Sequence, residues 1–350
     1  MLVGIVVVNA ALLELASQAA GCPTGEELKS MEAAGEIENA SEYQCTGTVY
    51  GQSPPSLIAN IAVVSGLLSA FFMPVIGVIL DFTNYRRAVG ISFTALFTII
   101  QAAQIGIGQD TWFPMAILQS IAGFCFTIMI LTALAYLPEI CEVVGQQVHA
   151  SYTARFTAQQ FIMQALFLIL VGALSFAFSI DSVQTARLSQ ALNVGIISIL
   201  QGVGWRYMPS RTATRELPLG TGCFGTLTYG FRQNLRTAKS IWSDYKKGLR
   251  WYLLATMFVQ SAVGALTTIS VVYLSSEVGL NASDITLFFL VVLVGTIPGS
   301  KVASMLSKKV SPNISWQMSM VALFVAMVIG ALTLGDAPNK YLSLIWGFFM

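Results

Sequence analysis

The sequence has 350 residues, of which 55% are hydrophobic and only 10% charged, with one histidine and a formal net charge of +1. A soluble domain carries about 25% charged residues, so this composition and a mean hydropathy of +0.71 exclude a soluble globular protein. One histidine and five scattered cysteines make no ligand set for a zinc ion or an iron–sulfur cluster, and we expect no metal or other cofactor. We predict an all-α polytopic membrane protein. We expect it to contact the lipid bilayer and not to bind nucleic acid.

The chain opens with an apolar segment, residues 1–20, whose polar members include Asn9 and Glu14. A signal peptide with a cleavage site around Ala16 to Ala20 is the alternative, but the basic residues that begin such peptides are absent. We therefore predict a first membrane helix. Burial favours the protonated form of a carboxylate, so Glu14 is a candidate for proton coupling, unless it only reaches water at the end of its helix.

A polar, acid-rich loop follows at 21–55 and carries Cys22, Cys45 and a glycosylation sequon at Asn39. An acidic loop with paired cysteines and a glycosylation acceptor is typical of an extracytoplasmic face. We predict a disulfide between Cys22 and Cys45. Three other cysteines remain as alternative partners, although they lie in or beside predicted helices or in the basic loop: Cys125, Cys141 and Cys223.

Apolar windows of about 20 residues, the length that crosses a bilayer, continue along the chain at 56–80, 88–107, 112–136, 157–178 and 188–205. The next segment, 206–250, holds nine of the eighteen Lys and Arg residues. Cytoplasmic loops are enriched in these residues, so we predict a basic cytoplasmic linker. Within it, Phe231–Trp251 has the apolar spacing of an amphipathic helix that lies on lipid headgroups.

Three further spans are predicted near 251–276, 285–306 and 314–335, and Tyr341–Met350 begins a tenth. This layout places fifteen basic residues in the cytoplasm and three outside, a strong asymmetry. The sequon at Asn281 then faces outside and is a second glycosylation candidate. We expect two halves, 1–205 and 251–350, with the second half incomplete at its C-terminus.

The second predicted span ends in a glycine, a carboxylate and two basic residues, Gly77, Asp81, Arg86 and Arg87. Glycine near the end of a membrane helix permits close approach of a neighbouring helix. Asp81 is placed to pair with Arg86 or Arg87 where the helix leaves the bilayer. This stretch resembles the loop motif between the second and third helices of the major facilitator superfamily, although the later glycine and basic residues of that motif are missing.

The eighth predicted span ends in a related pattern, with Gly299 followed nine residues later by Lys308 and Lys309. The glycine and the basic pair keep the spacing of the first copy, while Ala303 stands in place of the carboxylate. The pattern predicts an internal repeat. The resemblance to the major facilitator superfamily implies two six-helix repeats that alternate access to a substrate held between them near the midplane.

Several local stretches resemble the autophagy-related vacuole effluxers, a branch of that superfamily that exports amino acids from the vacuole. They are Leu12–Ala16, the cysteine-bearing loop, Tyr136–Ile140 and Leu280–Gly299. The resemblance implies a vacuolar, multi-pass transporter of amino acids and not an enzyme. It gives no indication of the oligomeric state.

Amide side chains inside the predicted spans are candidate substrate contacts, because buried polar groups are costly in a membrane. In the major facilitator fold the first, fourth and seventh helices line the cavity, which favours Asn9, Gln119 and Gln260. Gln160 and Gln164 lie on one face of the fifth span, suited to a zwitterionic backbone. Hydrogen bonding between helices is the alternative for all these amides.

Three other functions are weighed against transport. A transporter-like scaffold or sensor would act through its basic loop without moving a solute. Gly220–Gly225 fits a dinucleotide-binding fingerprint but follows no strand, so nucleotide binding is not expected. His149 invites a comparison with membrane acyltransferases, but it lies in a polar link and not inside a span.

Overall fold

The computed structural model describes residues 2–23, 30–31, 34–35, 47–137, 142, 145–210, 223–244, 247–276, 282–334 and 340–349. These residues include eleven helices. They are α1 Leu2–Ala19, α2 Pro54–Phe82, α3 Arg86–Gln104, α4 Trp112–Leu134, α5 Gln146–Phe178, α6 Ser182–Tyr207, α7 Cys223–Ser243, α8 Lys247–Ser276, α9 Ala282–Lys309, α10 Pro312–Leu334 and α11 Lys340–Phe349.

Six helices in the described part of the chain are long and apolar enough to cross a bilayer. They are α2, α4 and α10 together with the apolar portions of α5, α8 and α9, and each exceeds the length of about 20 residues that a bilayer requires. The chain is therefore a polytopic α-helical membrane protein, as its composition predicts.

Three predicted spans fall outside this set because they are shorter or more polar. The apolar part of α1 covers only Gly4–Ala19. Helix α3 carries Gln101 and Gln104, and α6 carries Gln190 and Asn193, which lower the mean hydropathy of both helices. These amides are at most 2% exposed, so they face protein and not lipid. That α1, α3 and α6 also cross the membrane stays a prediction.

One compact unit of the structure comprises residues 1–55, 138–189 and 271–350. In it α5 packs most extensively on α9, α10 and α11 pack on α9, and α1 contacts both α5 and α9. Its core contains Val6, Val271, Leu274, Ile285 and Phe288. Trp346 stacks on Phe288 with ring centroids 6.2 Å apart, which fixes α11 against α9.

The second compact unit comprises residues 56–137 and 190–270. Helices α3 and α4 pack on each other, and a cluster of Ile76, Leu80 and Ile128 joins α2 to α4. Helix α7 docks on α2 through Gly230, where an added Cβ would lie 2.9 Å from the carbonyl oxygen of Pro74. Aromatic pairs flank this contact, with Phe231 on Phe71 and Tyr229 on Phe82.

The predicted linker 206–250 is largely helical where the structure describes it. Helix α6 extends to Tyr207, α7 occupies Cys223–Ser243, and α8 begins at Lys247. The two compact units are defined by contacts and the two predicted halves by a sequence repeat, so the division 1–205 and 251–350 stays a prediction.

Candidate functional site

Arg86 occupies the first position of α3 and is only 4% exposed. Its side chain reaches back to the two helix ends beside it. Nε donates to the carbonyl oxygen of Leu80 at 3.3 Å, and Nη1 donates to that of Ala135 at 3.0 Å. Carbonyl groups in the last turn of a helix lack intrahelical partners and carry partial negative charge. Arg86 therefore holds together the C-terminal ends of α2 and α4.

Oδ1 of Asp81 lies 3.7 Å from Nη2 of Arg86, so the carboxylate faces Arg86. The Asp81 side chain is 64% exposed. Water screens an ion pair at such an exposed site, so the pair contributes little to the stability of the protein. Hydrogen bonds to the carbonyl oxygens of Leu80 and Ala135 therefore position Arg86 more firmly than this ion pair does.

Tyr136 extends this arrangement to the segment after α6. The Arg86 guanidinium lies over the Tyr136 ring, 5.3 Å from its centroid. The Tyr136 hydroxyl donates to the carbonyl oxygen of Pro209 at 3.2 Å. We call Asp81, Arg86 and Tyr136 with these carbonyl partners the Arg86 cluster. It links the ends of α2, α4 and α6 beside the start of α3.

A buried amide network lies farther along α3 in the same unit. Nε2 of Gln101 donates to Oε1 of Gln104 at 3.1 Å, and Nε2 of Gln104 donates to Oε1 of Gln119 at 2.7 Å. Nδ2 of Asn193 donates to Oε1 of Gln101 at 2.9 Å. This amide network joins α3, α4 and α6 through side chains that are at most 2% exposed. Gln119, a predicted substrate contact, thus forms a hydrogen bond that joins α4 to α3.

Glu14 lies beside the N-terminus of α6 in the other unit. The hydroxyl of Ser182, the first residue of α6, donates to Oε2 of Glu14. The same helix end is capped by Asp181, whose Oδ1 accepts from the backbone N–H of Gln184 at 2.6 Å. A carboxylate near a helix N-terminus is stabilised by the helix dipole. This contact gives Glu14 a structural role, and its part in proton coupling stays a prediction.

Comparison with known proteins assigns the family. A model of the family described as vacuole effluxer Atg22 like matches residues 15–335. The chain belongs to this family. The match covers the Arg86 cluster, the amide network and α7, and confirms the resemblance read from the sequence. No curated protein and no solved structure matches the chain.

The other predicted substrate contacts of this effluxer-family chain lie in different surroundings. Gln164 of α5 is 7% exposed, and its Oε1 is shielded without a hydrogen-bond donor in the described part of the chain. Gln160, one turn earlier, is exposed, as is Gln260 of α8, while Asn9 of α1 is half-buried. Among these predicted contacts, only Gln164 is buried and also has a side-chain oxygen, Oε1, without a hydrogen-bond donor in the described part of the chain.

The glycines of the motif do not mark close helix contacts. A Cβ added at Gly77 or Gly299 would meet no heavy atom of the described residues within 4 Å. The close approach expected at Gly77 is instead found at Gly230 of α7. Lys309 is exposed at the end of α9, and the side chain of Lys308 lies outside the described residues. The role of these residues in the transport cycle stays a prediction.

Cys22 is disulfide-bonded, and the side chain of its partner lies outside the described residues. Cys45 and the two sequon residues Asn39 and Asn281 also lie outside them. The Cys22–Cys45 pairing and both glycosylation sites therefore stay predictions for this effluxer-family chain. Cys125 is a free, buried thiol in α4.

The α7 helix presents a basic face to solvent with Arg232, Arg236 and Lys239 exposed. At its end, Trp242 is 61% exposed. The guanidinium of Arg250 lies over the Trp242 ring, with Cζ 5.5 Å from the ring centroid. Hydrogen bonds from Ser243 and then Ser240 lower the pKa of Asp244, so that carboxyl stays ionised at neutral pH. Basic and aromatic residues together suit the headgroup region of a membrane.

Sequence reasoning missed most of the amide network and Tyr136. A signal for the network was present, because Gln101 and Gln104 in α3 and Gln190 and Asn193 in α6 are each spaced i, i+3 and lie on one helix face. The contact of Tyr136 with Arg86 carries no such signal. It depends on how α4 ends beside α3.

Proposed function

We propose that this protein is a secondary active transporter that moves small solutes, above all amino acids, out of the vacuole by alternating access. The match to the vacuole effluxer family over residues 15–335 carries this proposal. Six apolar helices suit a protein that encloses a solute path across a bilayer. The proposed location is the vacuolar membrane, and no enzymatic step is proposed.

The proposed fold is that of the major facilitator superfamily, with two related halves. Helices α2 and α9 support it because each contains an internal proline, Pro74 and Pro298. Each proline is followed within three residues by a glycine, and each glycine is followed nine residues later by a basic pair. Internal repeats of this kind are typical of transporters whose halves move around a central site.

The Arg86 cluster is proposed to stabilise one conformation of the transport cycle. A guanidinium has five N–H donors, and Arg86 gives two of them to carbonyl oxygens of α2 and α4. The nearby Asp81 carboxylate offers a charged acceptor when those carbonyl oxygens separate. Exchange of Arg86 between these acceptors would give the cytoplasmic helix ends two arrangements, which alternating access requires.

Gln164 is proposed as a substrate contact in the first compact unit. Its shielded Oε1 lacks a donor among the described residues, and an unpaired buried acceptor costs free energy until a donor reaches it. The ammonium group of an amino acid would supply that donor. Gln160 on the neighbouring turn is the proposed second contact.

Counterflow in proteoliposomes tests the proposed function. Vesicles with the purified chain would be loaded with unlabelled amino acids and supplied with a labelled mixture outside. We expect uptake that saturates and is competed by unlabelled amino acids, with less uptake for Gln164→Leu than for the exposed control Gln159→Leu. Uptake equal to protein-free vesicles from a folded, monodisperse sample would contradict transport and favour the scaffold alternative.

A further inference from the structure

A surface groove of about 530 Å³ runs between α3 and α6. Its walls are mainly apolar and include Ile91, Ala95, Ile99, Ile197 and Gly202. Ile99 is 65% exposed, so this apolar surface is not covered by the described part of the protein. The volume falls within the range of about 300–1,000 Å³ typical of small-molecule sites.

The hydroxyl and indole groups in the groove walls are satisfied within α3 and α6 or between these two helices. The hydroxyl of Thr98 donates to the carbonyl oxygen of Thr94 at 2.8 Å, and that of Ser198 donates to Val194 at 2.7 Å. Nε1 of Trp205 donates to Oγ1 of Thr94 at 2.9 Å. Because these groups need no further partner, the walls suit an apolar ligand.

Two arginines line one end of the groove. Nη2 of Arg87 lies 3.5 Å from the carbonyl oxygen of Arg206, and Nε of Arg87 is shielded without a hydrogen-bond partner among the described residues. Arg206 is exposed. No acidic residue lines the groove in the part of the chain that the structure describes, so neither positive charge has a counter-ion among those lining residues. This end suits an anionic group such as a phosphate.

The groove has the length of one leaflet. Along α3 the wall from Arg87 to Ile99 extends about 18 Å at a rise of about 1.5 Å per residue, against about 15 Å for half of the hydrocarbon core of a bilayer. The predicted sidedness places Arg87 and Arg206 at the cytoplasmic surface. The cationic end then lies at the headgroups and the apolar walls lie among the acyl chains.

We propose that this groove binds an anionic phospholipid of the cytoplasmic leaflet, with Arg87 and Arg206 on the headgroup phosphate and one acyl chain along α3 and α6. Basic pockets between membrane helices on the cytoplasmic side are suited to such headgroups. A choline headgroup has no net charge, because its trimethylammonium offsets its phosphate, whereas an anionic headgroup keeps a net negative charge to pair with the two guanidinium groups. The site does not depend on the proposed transport, since its ligand is a membrane component.

Native mass spectrometry of the delipidated full chain tests the proposal, with dioleoyl phosphatidylserine as probe and dioleoyl phosphatidylcholine as reference. We expect one phosphatidylserine to bind more tightly than phosphatidylcholine. The double variant R87Q/R206Q should bind it about 30-fold more weakly. The matched control R232Q/R236Q removes two exposed arginines of α7 and should bind like the unsubstituted chain. Equal weakening in both variants, or equal affinity for both lipids, would overturn the site.

A second variant separates the groove from its charged end. A Cβ added at Gly202 meets no heavy atom of the described residues within 4 Å, so Gly202→Leu should fold normally while filling the groove. We expect phosphatidylserine binding to weaken by about tenfold, the loss for displacing about two methylene groups. Unchanged phosphatidylserine binding in this variant would show that no acyl chain lies in the groove. If millimolar inorganic phosphate displaced phosphatidylserine, the groove would be a site for a free anion, and the proposal that it binds a lipid would be wrong.

Discussion

At the scale of single residues, Arg86 is expected to contribute most to stability among the basic residues of the motif. Arg86→Met leaves the carbonyl oxygens of Leu80 and Ala135 without their charged donor. An unsatisfied buried polar group costs about 1–3 kcal/mol, so the apparent Tm in detergent should fall clearly. Arg87→Met is the neighbouring control, because Arg87 makes one long contact at 3.5 Å. Equal Tm values for the two variants would contradict the role of Arg86.

Asp81 is expected to affect transport more than folding. Its carboxylate is 64% exposed and 3.7 Å from Arg86, and an exposed ion pair contributes about 0–1 kcal/mol. Asp81→Asn should therefore keep its Tm while amino-acid counterflow decreases. The exposed Asp110→Asn serves as a control for the loss of one negative charge. Normal counterflow in Asp81→Asn would count against a role for the motif in cycling.

At the scale of helices, the amide network is expected to couple α3 to α4. A double-mutant cycle of Gln104→Leu and Gln119→Leu removes the 2.7 Å hydrogen bond between these side chains. Interhelical hydrogen bonds in membrane proteins contribute about 0.6 kcal/mol on average and up to about 1.7, so we expect a coupling energy within that range. Additive losses of stability would show that the bond contributes nothing.

The same two variants test whether Gln119 contacts substrate. If its role is only to join helices, Gln119→Leu should reduce counterflow no more than Gln104→Leu does, because Gln104→Leu breaks the same hydrogen bond and also the one that Gln104 accepts from Gln101. A larger loss of affinity for substrate in Gln119→Leu would assign it the contact predicted from the sequence. The network would then combine a structural and a binding role.

The docking of α7 on α2 is expected to depend on Gly230. A valine there would bring its Cβ within 2.9 Å of the Pro74 carbonyl oxygen, and overpacking of this kind costs about 1–3 kcal/mol. Trypsin should then cleave Gly230→Val faster within 232–239, the basic face of α7. Gly248→Val is the control, because a Cβ at Gly248 meets open space. Unchanged cleavage would show that α7 does not rely on this contact.

The sequence predicted helix positions better than helix contacts. Spans 112–136 and 314–335 match α4 and α10 closely, because an unbroken apolar run has few other structures in a bilayer. The sequence predicts an amphipathic helix over Phe231–Trp251, whereas α7 spans Cys223–Ser243 and α8 begins at Lys247. The first turns of α7 pack on α2 and carry little charge to mark them. The sequence predicts that Asp81 pairs with Arg86 or Arg87, whereas Arg86 also donates to backbone carbonyl oxygens that lie closer to it than the carboxylate, and no side-chain pattern reveals these.

At the scale of the whole molecule, the number of membrane crossings fixes the side of each loop. If only the six most apolar helices cross, the α3–α4 loop and the end of α7 lie on the same side of the membrane. If α1, α3 and α6 also cross, these two positions lie on opposite sides. The amide network favours the second layout, because its side chains in α3 and α6 are hydrogen-bonded within the protein and leave apolar residues such as Ile99 to face lipid.

Cysteine labelling distinguishes the two layouts. We expect an impermeant maleimide to reach Asp110→Cys from the side opposite to Asp244→Cys in sealed, oriented vesicles, measured as an increment over the unsubstituted chain. Asn84→Cys is the control, because it lies on the side of Asp244 in either layout. Labelling of all three cysteine variants from one side would show that α3 and α6 do not cross the membrane. The amide network would then lie at a membrane surface, and the two-repeat fold would have to be abandoned.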